Sequence, residues 1–432
     1  MKTTKILEVS QTKSVSVRNL SLACAGTALC AAAALAQVST EATSSNAVGQ
    51  SNASPAAYVY VSTSKGIDVY DAASNGKLTL VSGSPFKTSG QMIGSNGKYL
   101  VSVGASDIYT NKIESNGAIG PLASSFNADS HSGGQCGNTS GAVLDHTGLN
   151  VYVSLKGAPA YDGNNLCDAI QSSSISSSGD LTYTGDVLVD DDQKISGSDT
   201  LPVMLGNNSF AYSWEASTDS CQASINIFAR ESSGAIELAG DQNVNYPEGP
   251  AGGYYYYPLY PSNISGDVQA ISPSLITDDG TNHLAIALFA MSDAPCGPTK
   301  APQLGSFTAA SNGSLTSTNT AENMPTVGGG GAINVMRMSP SGNLLAVATG
   351  TGVQFFHFNG AAPITKFTGV IGTSGYVSDV QWDKSNHLYA INGASGKMHV
   401  YTVTTTSVVE AAGSPYSLGA SSSPIGLVVV PE

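Results

Sequence analysis

Charge, cysteine, tryptophan and long apolar runs are all scarce in this chain, and each scarcity excludes something. Only 11% of the 432 residues are charged, with 17 Lys and Arg against 31 Asp and Glu, a formal net charge of −14. Nucleic acids and polyphosphates are held by clustered Lys and Arg, and no such run exists, so neither is an expected partner. The acidity itself speaks to solubility rather than to a site. Absent too are a Gly-x-Ser-x-Gly elbow, a His-Glu-x-x-His helix, a Cys-x-x-Cys-His haem site and a glycine-rich phosphate loop between strand and helix. Two tryptophans, Trp214 and Trp382, are too few for the repeated docking motifs of a quinoprotein. No cofactor and no metal site is therefore expected. Asp190-Asp191-Asp192 lacks the alternating ligands of a calcium loop and reads as a solvated acidic turn.

The one long apolar run is Leu20 to Ala36, preceded by Lys2, Lys5, Lys13 and Arg18. It is too short and too rich in alanine for a membrane span, and Ala34-Leu35-Ala36 has the small-x-small form that signal peptidase needs. Residues 1 to 36 read as a signal peptide, which makes the mature chain secreted or periplasmic, or held at the cell surface. Cys24 is a weaker lipoprotein alternative, because too little apolar sequence precedes it. Residues 37 to 56, rich in Ser, Ala and Asn, form a flexible tether. Removing residues 1 to 36 takes away four basic residues and Glu8, so 17 − 4 against 31 − 1 leaves −17. Four cysteines stay with the mature chain: Cys136, Cys167, Cys221 and Cys296. An even number in an exported chain suggests two disulfides, although four cysteines allow three connectivities. Pairing Cys136 with Cys167 and Cys221 with Cys296 is preferred.

What is abundant is a turn. Ser-(Asn or Ser)-Gly-x-(Leu or Ile) occurs at Ser74–Leu78, Ser115–Ile119, Ser177–Leu181, Ser232–Ile236 and Ser311–Leu315. Asn-Gly and Ser-Gly accept the positive φ of tight hairpins, and each copy lies between short alternating runs, so each marks a β-hairpin. Gly76 to Gly117 is 41 residues, and the following gaps are 62, 55 and 79. A period of about 40 residues with several short strands is what a propeller blade requires, the longer gaps being blades with insertions. A second turn series, Ser95-Asn96-Gly97, His146-Thr147-Gly148, Asn207-Asn208, Asp279-Gly280, Pro340-Ser341-Gly342 and Lys384-Ser385-Asn386, precedes six of seven apolar strands, which begin near Tyr58, Lys98, Leu149, Phe210, Leu284, Leu344 and Leu388. The expected fold is all-β, a seven-bladed propeller of four-stranded blades over residues 57 to 432. The first blade lacks an upstream strand, and the orphan run Pro424 to Val430 supplies it, closing the ring and leaving no long open edge.

Loops of a propeller alternate between two faces. The repeated tight turns occupy one, while every large insertion falls on the other: 124–139, 156–168, 215–222, 239–272 and 291–302, all around blades 3 to 5. Long loops on a rigid scaffold are where binding residues collect. Within that sector Tyr254, Tyr255, Tyr256, Tyr257 and Tyr260 offer flat contact area with hydroxyls, suited to a small molecule, a glycan or a protein. Trp214 and Glu215 end a second strand and point toward the channel mouth, and His131 lies in the same face's loops. Trp214 and the tyrosines are the candidate binding residues; Glu215 and His131 are the candidate acid or base, each weighed against a merely structural role. His146, His283 and His387 fall on the opposite face.

Tyr58-Val59-Tyr60-Val61-Ser62 with Gly66 to Asp71, and Leu388 to Asn392 with Met398 to Tyr401, resemble the repeats of YVTN-type propellers and of the seven-bladed lactonase family that includes 6-phosphogluconolactonase. Gly83-Ser84-Pro85-Phe86 and Gly413-Ser414-Pro415-Tyr416 are similar to a blade-end phrase of exported members. The resemblance covers about residues 56 to 432 and implies the propeller and, as one function, hydrolysis of a sugar or aromatic lactone; the leader and the long loops give the other expectation, a monomeric, exported module that binds a ligand over blades 3 to 5.

Overall fold

Successive side chains of a strand point to opposite faces, so a strand apolar at both parities must be covered on both sides. Ala57–Thr63 is such a strand, buried throughout. Tyr58 and Tyr60 pack one way, against Met92 and Leu100, while Val59 and Val61 pack the other way, against Tyr389, Ile391 and Val400. The computed structural model describes residues 55–128, 138–156, 168–190, 201–216, 223–243, 268–269, 275–290, 301–320, 322–329, 333–373, 375–418 and 424–431. These form seven antiparallel sheets and no α-helix. Each hydrophobic cluster among the described residues joins two neighbouring sheets, and together they close a circle. The core of this protein is thus seven blade-to-blade interfaces rather than one centre.

The sheets are blades in chain order, and the inner strands are Pro424–Pro431, Gln91–Ser95, Asn138–Leu144, Val203–Met204, Ile276–Asp278, Ile333–Met338 and Val377–Trp382 for blades 1 to 7. The last strand of the chain pairs with Ala57–Thr63, Val429 opposite Val59 and Leu427 opposite Val61, so blade 1 is built from both termini as its missing strand required. Two blades depart from four simple strands. In blade 5 the second strand also pairs with Val268–Gln269, so its inner edge is met in two pieces. In blade 7 the third strand (Lys397–Val403) pairs with Val408–Glu410 at one end and Tyr416–Ser417 at the other. The detour between them is the Gly-Ser-Pro-Tyr phrase, in which Ser414 Oγ accepts from Val400 N at 2.9 Å; Ser84 Oγ does the same for Val69 N at 3.1 Å in blade 1. A serine hydroxyl stands in for the backbone partner that the outer strand gives up.

The repeated Ser-(Asn or Ser)-Gly turn has a second task beyond reversing the chain. Its glycine carbonyl accepts a hydrogen bond from the preceding blade: Tyr60 Oη to Gly117 at 2.8 Å, Thr110 Oγ1 to Gly179 at 2.6 Å, Tyr152 Oη to Gly234 at 2.9 Å and Tyr212 Oη to Gly313 at 2.8 Å. Four of the five copies of the repeat are thus inter-blade clasps, joining blades 1 to 5 in sequence.

Candidate functional site

Seven inner strands leave a channel on the ring axis, and what lines it is decided by a local irregularity. In blades 1, 2, 3, 6 and 7 the inner strand carries one extra residue near its start: Ile425, Ile93, Ser140, Asn334 and Ser378 have no partner on the second strand. Such a bulge re-aims the side chains that follow it. Inner strands of adjacent blades share no ladder, so side chains tie them instead. Asn334 Nδ2 donates to the Val377 carbonyl at 2.8 Å, Trp382 Nε1 to the Arg337 carbonyl at 3.0 Å, and Thr277 Oγ1 accepts from Met338 N at 3.2 Å.

Two compartments share this channel. The first, about 540 Å³, lies where the inner strands begin, on the face of the insertions; its polar lining includes Gln91, Thr139, Arg337, Ser378, Asp379 and Gln381. Asp379 follows the bulge of blade 7. Its Oδ1 accepts from Val380 N at 2.8 Å and its Oδ2 from Leu427 N at 3.1 Å, so it also fastens the closing strand of blade 1 to blade 7. Burial pushes its carboxyl up from the ordinary carboxylate range, and the positive Arg337 together with the two N–H donors offsets only part of that rise. A buried carboxyl raised in a cavity that also holds a guanidinium is a candidate acid–base group.

The second compartment, about 710 Å³, opens on the face of the tight turns and is lined by Ser95, His146, Thr277 and Asp278 among others. Ile93, Ala142, Leu201, Arg337 and Gln381 line both, so Arg337 and Gln381 stand at the waist. His146, which leaves blade 3, reaches across blade 4: its Nε2 lies 3.1 Å from the Met204 carbonyl and 3.2 Å from Asp278 Oδ2 of blade 5. Burial draws the imidazole down, but Asp278, the Met204 carbonyl and Asp145 outweigh it and hold the group above its ordinary 6.5. The other two turn-face histidines are built into their own turns, His283 on Asp279 at 2.9 Å and His387 on Asp383 at 2.7 Å. Among the described residues no cluster of His, Cys, Asp and Glu has the makings of a metal site.

The residues nominated from the sequence are a different set. His131, Cys136, Cys167, Cys221, Cys296, Tyr254, Tyr255, Tyr256, Tyr257 and Tyr260 lie outside the described residues. Trp214 and Glu215 are at the end of the second strand of blade 4 (Phe210–Ala216), opposite Ile225 and Ser224, so the insertion expected from residue 215 begins after Ala216. Three insertions likewise begin later than the spacing suggests, since Ser124–Asn127, Lys156 and Ala239–Asn243 still belong to strands. Arg337, Asp379 and Gln381 are not among the residues the sequence singles out. The available signal was a charged or amide side chain flanking or flanked by apolar residues of an inner strand, as in Met336-Arg337-Met338 and Asp379-Val380-Gln381.

No protein-family model matches the chain, and no curated protein matches it in sequence. Solved structures do. A 6-phosphogluconolactonase-like protein of Bacteroides fragilis aligns at a TM-score of 0.55 and 14% identity over 87% of this chain and 98% of its own. A second, from Bacteroides uniformis, aligns at 0.58 and 12% over 87% and 99%. A protein of Lactobacillus plantarum aligns at 0.52 and 12% over 86% and 98%. At such identities the likeness is one of architecture: this chain has the seven-bladed propeller fold of the 6-phosphogluconolactonase-like proteins.

Proposed function

We propose that this protein is an exported, lactonase-like propeller that binds a small polar molecule in the compartment of its central channel beneath the elaborated face. The observation that carries the reading is the convergence there of Arg337, Asp379, Gln381, Gln91, Ser378 and Thr139 from four blades around one cavity of about 540 Å³. A few convergent polar groups in a preformed concavity are what a small-molecule site consists of. The leader of residues 1 to 36 supports export. Tyr254, Tyr255, Tyr256, Tyr257 and Tyr260, which lie outside the described residues, remain binding candidates on the strength of the sequence alone.

A second reading is lactone hydrolysis, favoured by the raised Asp379 carboxyl beside Arg337. Ionised Asp379 takes a proton from a water whose oxygen bonds to the lactone carbonyl carbon. Arg337 steadies the resulting oxyanion, the ring C–O bond breaks, and the leaving oxygen takes the proton back from Asp379, giving a hydroxy acid. Titration calorimetry of the chain from Gln37 with glucono-δ-lactone and gluconate tests the first reading. The expected result is binding by the parent chain and its loss in Gln91→Trp, which plugs the mouth from an exposed position. Equal binding by both proteins would refute the channel as the site. Hydrolysis followed by pH-stat, absent in Asp379→Asn, separates the second reading from the first.

A further inference from the structure

We infer, resting on that reading, that the ligand is a hydrophilic organic carboxylate without a phosphate group, its carboxylate anchored at the channel waist by Arg337. Arg337 is the only Lys or Arg among the described residues lining either compartment. Its one described side-chain hydrogen bond goes from Nη1 to the neighbouring Met336 carbonyl at 3.2 Å, and it takes part in none of the described ion pairs. A guanidinium presents five N–H donors in a planar fork, so most of this one's capacity faces the channel unspent. The fork matches a carboxylate with two parallel bonds. Gln381, also at the waist, adds an amide that can donate or accept beside it.

The rest of the lining narrows the class. No Phe, Tyr or Trp is among the described residues of either compartment, so the described lining offers an aromatic or a pyranose face no ring to stack on. Glutamine, serine and threonine side chains provide hydrogen bonds for hydroxyls. Against a phosphate ester stands the charge balance: one arginine is accompanied by Asp379 in one compartment and Asp278 in the other. The one guanidinium fork can meet one carboxylate, whereas a dianionic phosphate in addition would face Asp379 and Asp278 with no second Lys or Arg, and only His146 of the turn-face compartment, to meet it.

The experiment compares D-gluconate, its uncharged counterpart sorbitol and 6-phosphogluconate by calorimetry on the chain from Gln37. Gluconate is expected to bind about 10- to 100-fold more tightly than sorbitol, the range of a hydrogen-bonded charge pair, with 6-phosphogluconate weaker than gluconate. Arg337→Met should bring gluconate down to the level of sorbitol, and Arg337→Lys should recover part of the difference. Backbone folding of both variants is checked by the near-ultraviolet signal of Trp382, whose indole donates to the residue 337 carbonyl. Sorbitol binding as well as gluconate, or gluconate binding unchanged in Arg337→Met, overturns the carboxylate anchor while leaving the channel site standing. Tightest binding by 6-phosphogluconate overturns the exclusion of phosphate. Failure of all three probes, with Gln91→Trp indistinguishable from the parent, overturns the channel reading and this inference with it.

Discussion

Gly117→Ala and Gly97→Ala are the same chemical change at two turns of the same blade, and the structure gives them different costs. Both glycines have positive φ, 77° and 85°, where a Cβ costs roughly 1 to 2 kcal/mol. At Gly97 that is the whole cost, since a Cβ there meets nothing within 4 Å. At Gly117 the new carbon would lie 2.2 Å from Cδ1 of the Tyr58 ring of the preceding blade. The ring must move, and overpacking of this kind costs about 1 to 3 kcal/mol. The shift also loosens the buried bond from Tyr60 to the Gly117 carbonyl, a further loss of about 1 kcal/mol. We therefore expect Gly117→Ala to lose about 3 to 6 kcal/mol and Gly97→Ala about 1 to 2 kcal/mol, measured as the shift in urea midpoint followed by circular dichroism. A Tyr58→Ala background should remove most of the difference, because the clash has then lost one partner. Equal midpoints for the two glycine variants would refute the clasp as a source of stability.

Tyr→Phe substitutions should separate by sign. Tyr152 Oη donates to the Gly234 carbonyl at 2.9 Å and receives Arg230 Nε at 3.3 Å, so Tyr152→Phe should cost about 1 to 3 kcal/mol; the buried Tyr401 hydroxyl has no hydrogen-bond partner among the described residues, so Tyr401→Phe should be neutral or stabilising in the same denaturation assay. His146 is held above its ordinary 6.5 in the folded chain, so its contribution to stability is complete below about pH 6.5 and disappears as pH rises through the higher folded value. The parent-minus-His146→Gln difference in unfolding free energy should thus shrink between neutral and alkaline pH, and a difference independent of pH would refute the clasp across blade 4. Asp383 behaves oppositely. Burial pushes its carboxyl up, but the His387 side chain and backbone N–H, the His387 charge and Tyr389 hold it below the ordinary 3.8, so its stabilisation is present above that value and is lost as pH falls through the folded one. Asp383→Asn should lower stability at neutral pH and flatten the acid limb of the stability curve, which urea melts from pH 2 to 5 would show.

Much of the architecture was legible in the amino-acid sequence because its determinants are local. A glycine with positive φ followed by alternating apolar residues specifies a hairpin whatever surrounds it, so Gly76, Gly117, Gly179, Gly234 and Gly313 announced five blades. Closure was legible for a related reason: an apolar run such as Leu427 to Val430 needs partners, and blade 1 was one strand short. The channel was not legible. Arg337, Asp379, Gln381 and Gln91 belong to three blades of the ring, and nothing within any one strand says that its polar residue meets the others. Which side chain of an inner strand faces the axis depends on a one-residue bulge, and a shift of one residue exchanges the two faces of a strand. The sequence by itself determined the hairpins, the number of blades and the joining of the termini, since these follow from backbone preference and alternation over a few residues. Only the tertiary structure decided that the repeated turns clasp the preceding blade, that Asp379 fastens the closing strand, and that Arg337 stands at the waist of a shared cavity, because each of these is a meeting of residues far apart in the chain, brought together by the closing of the ring.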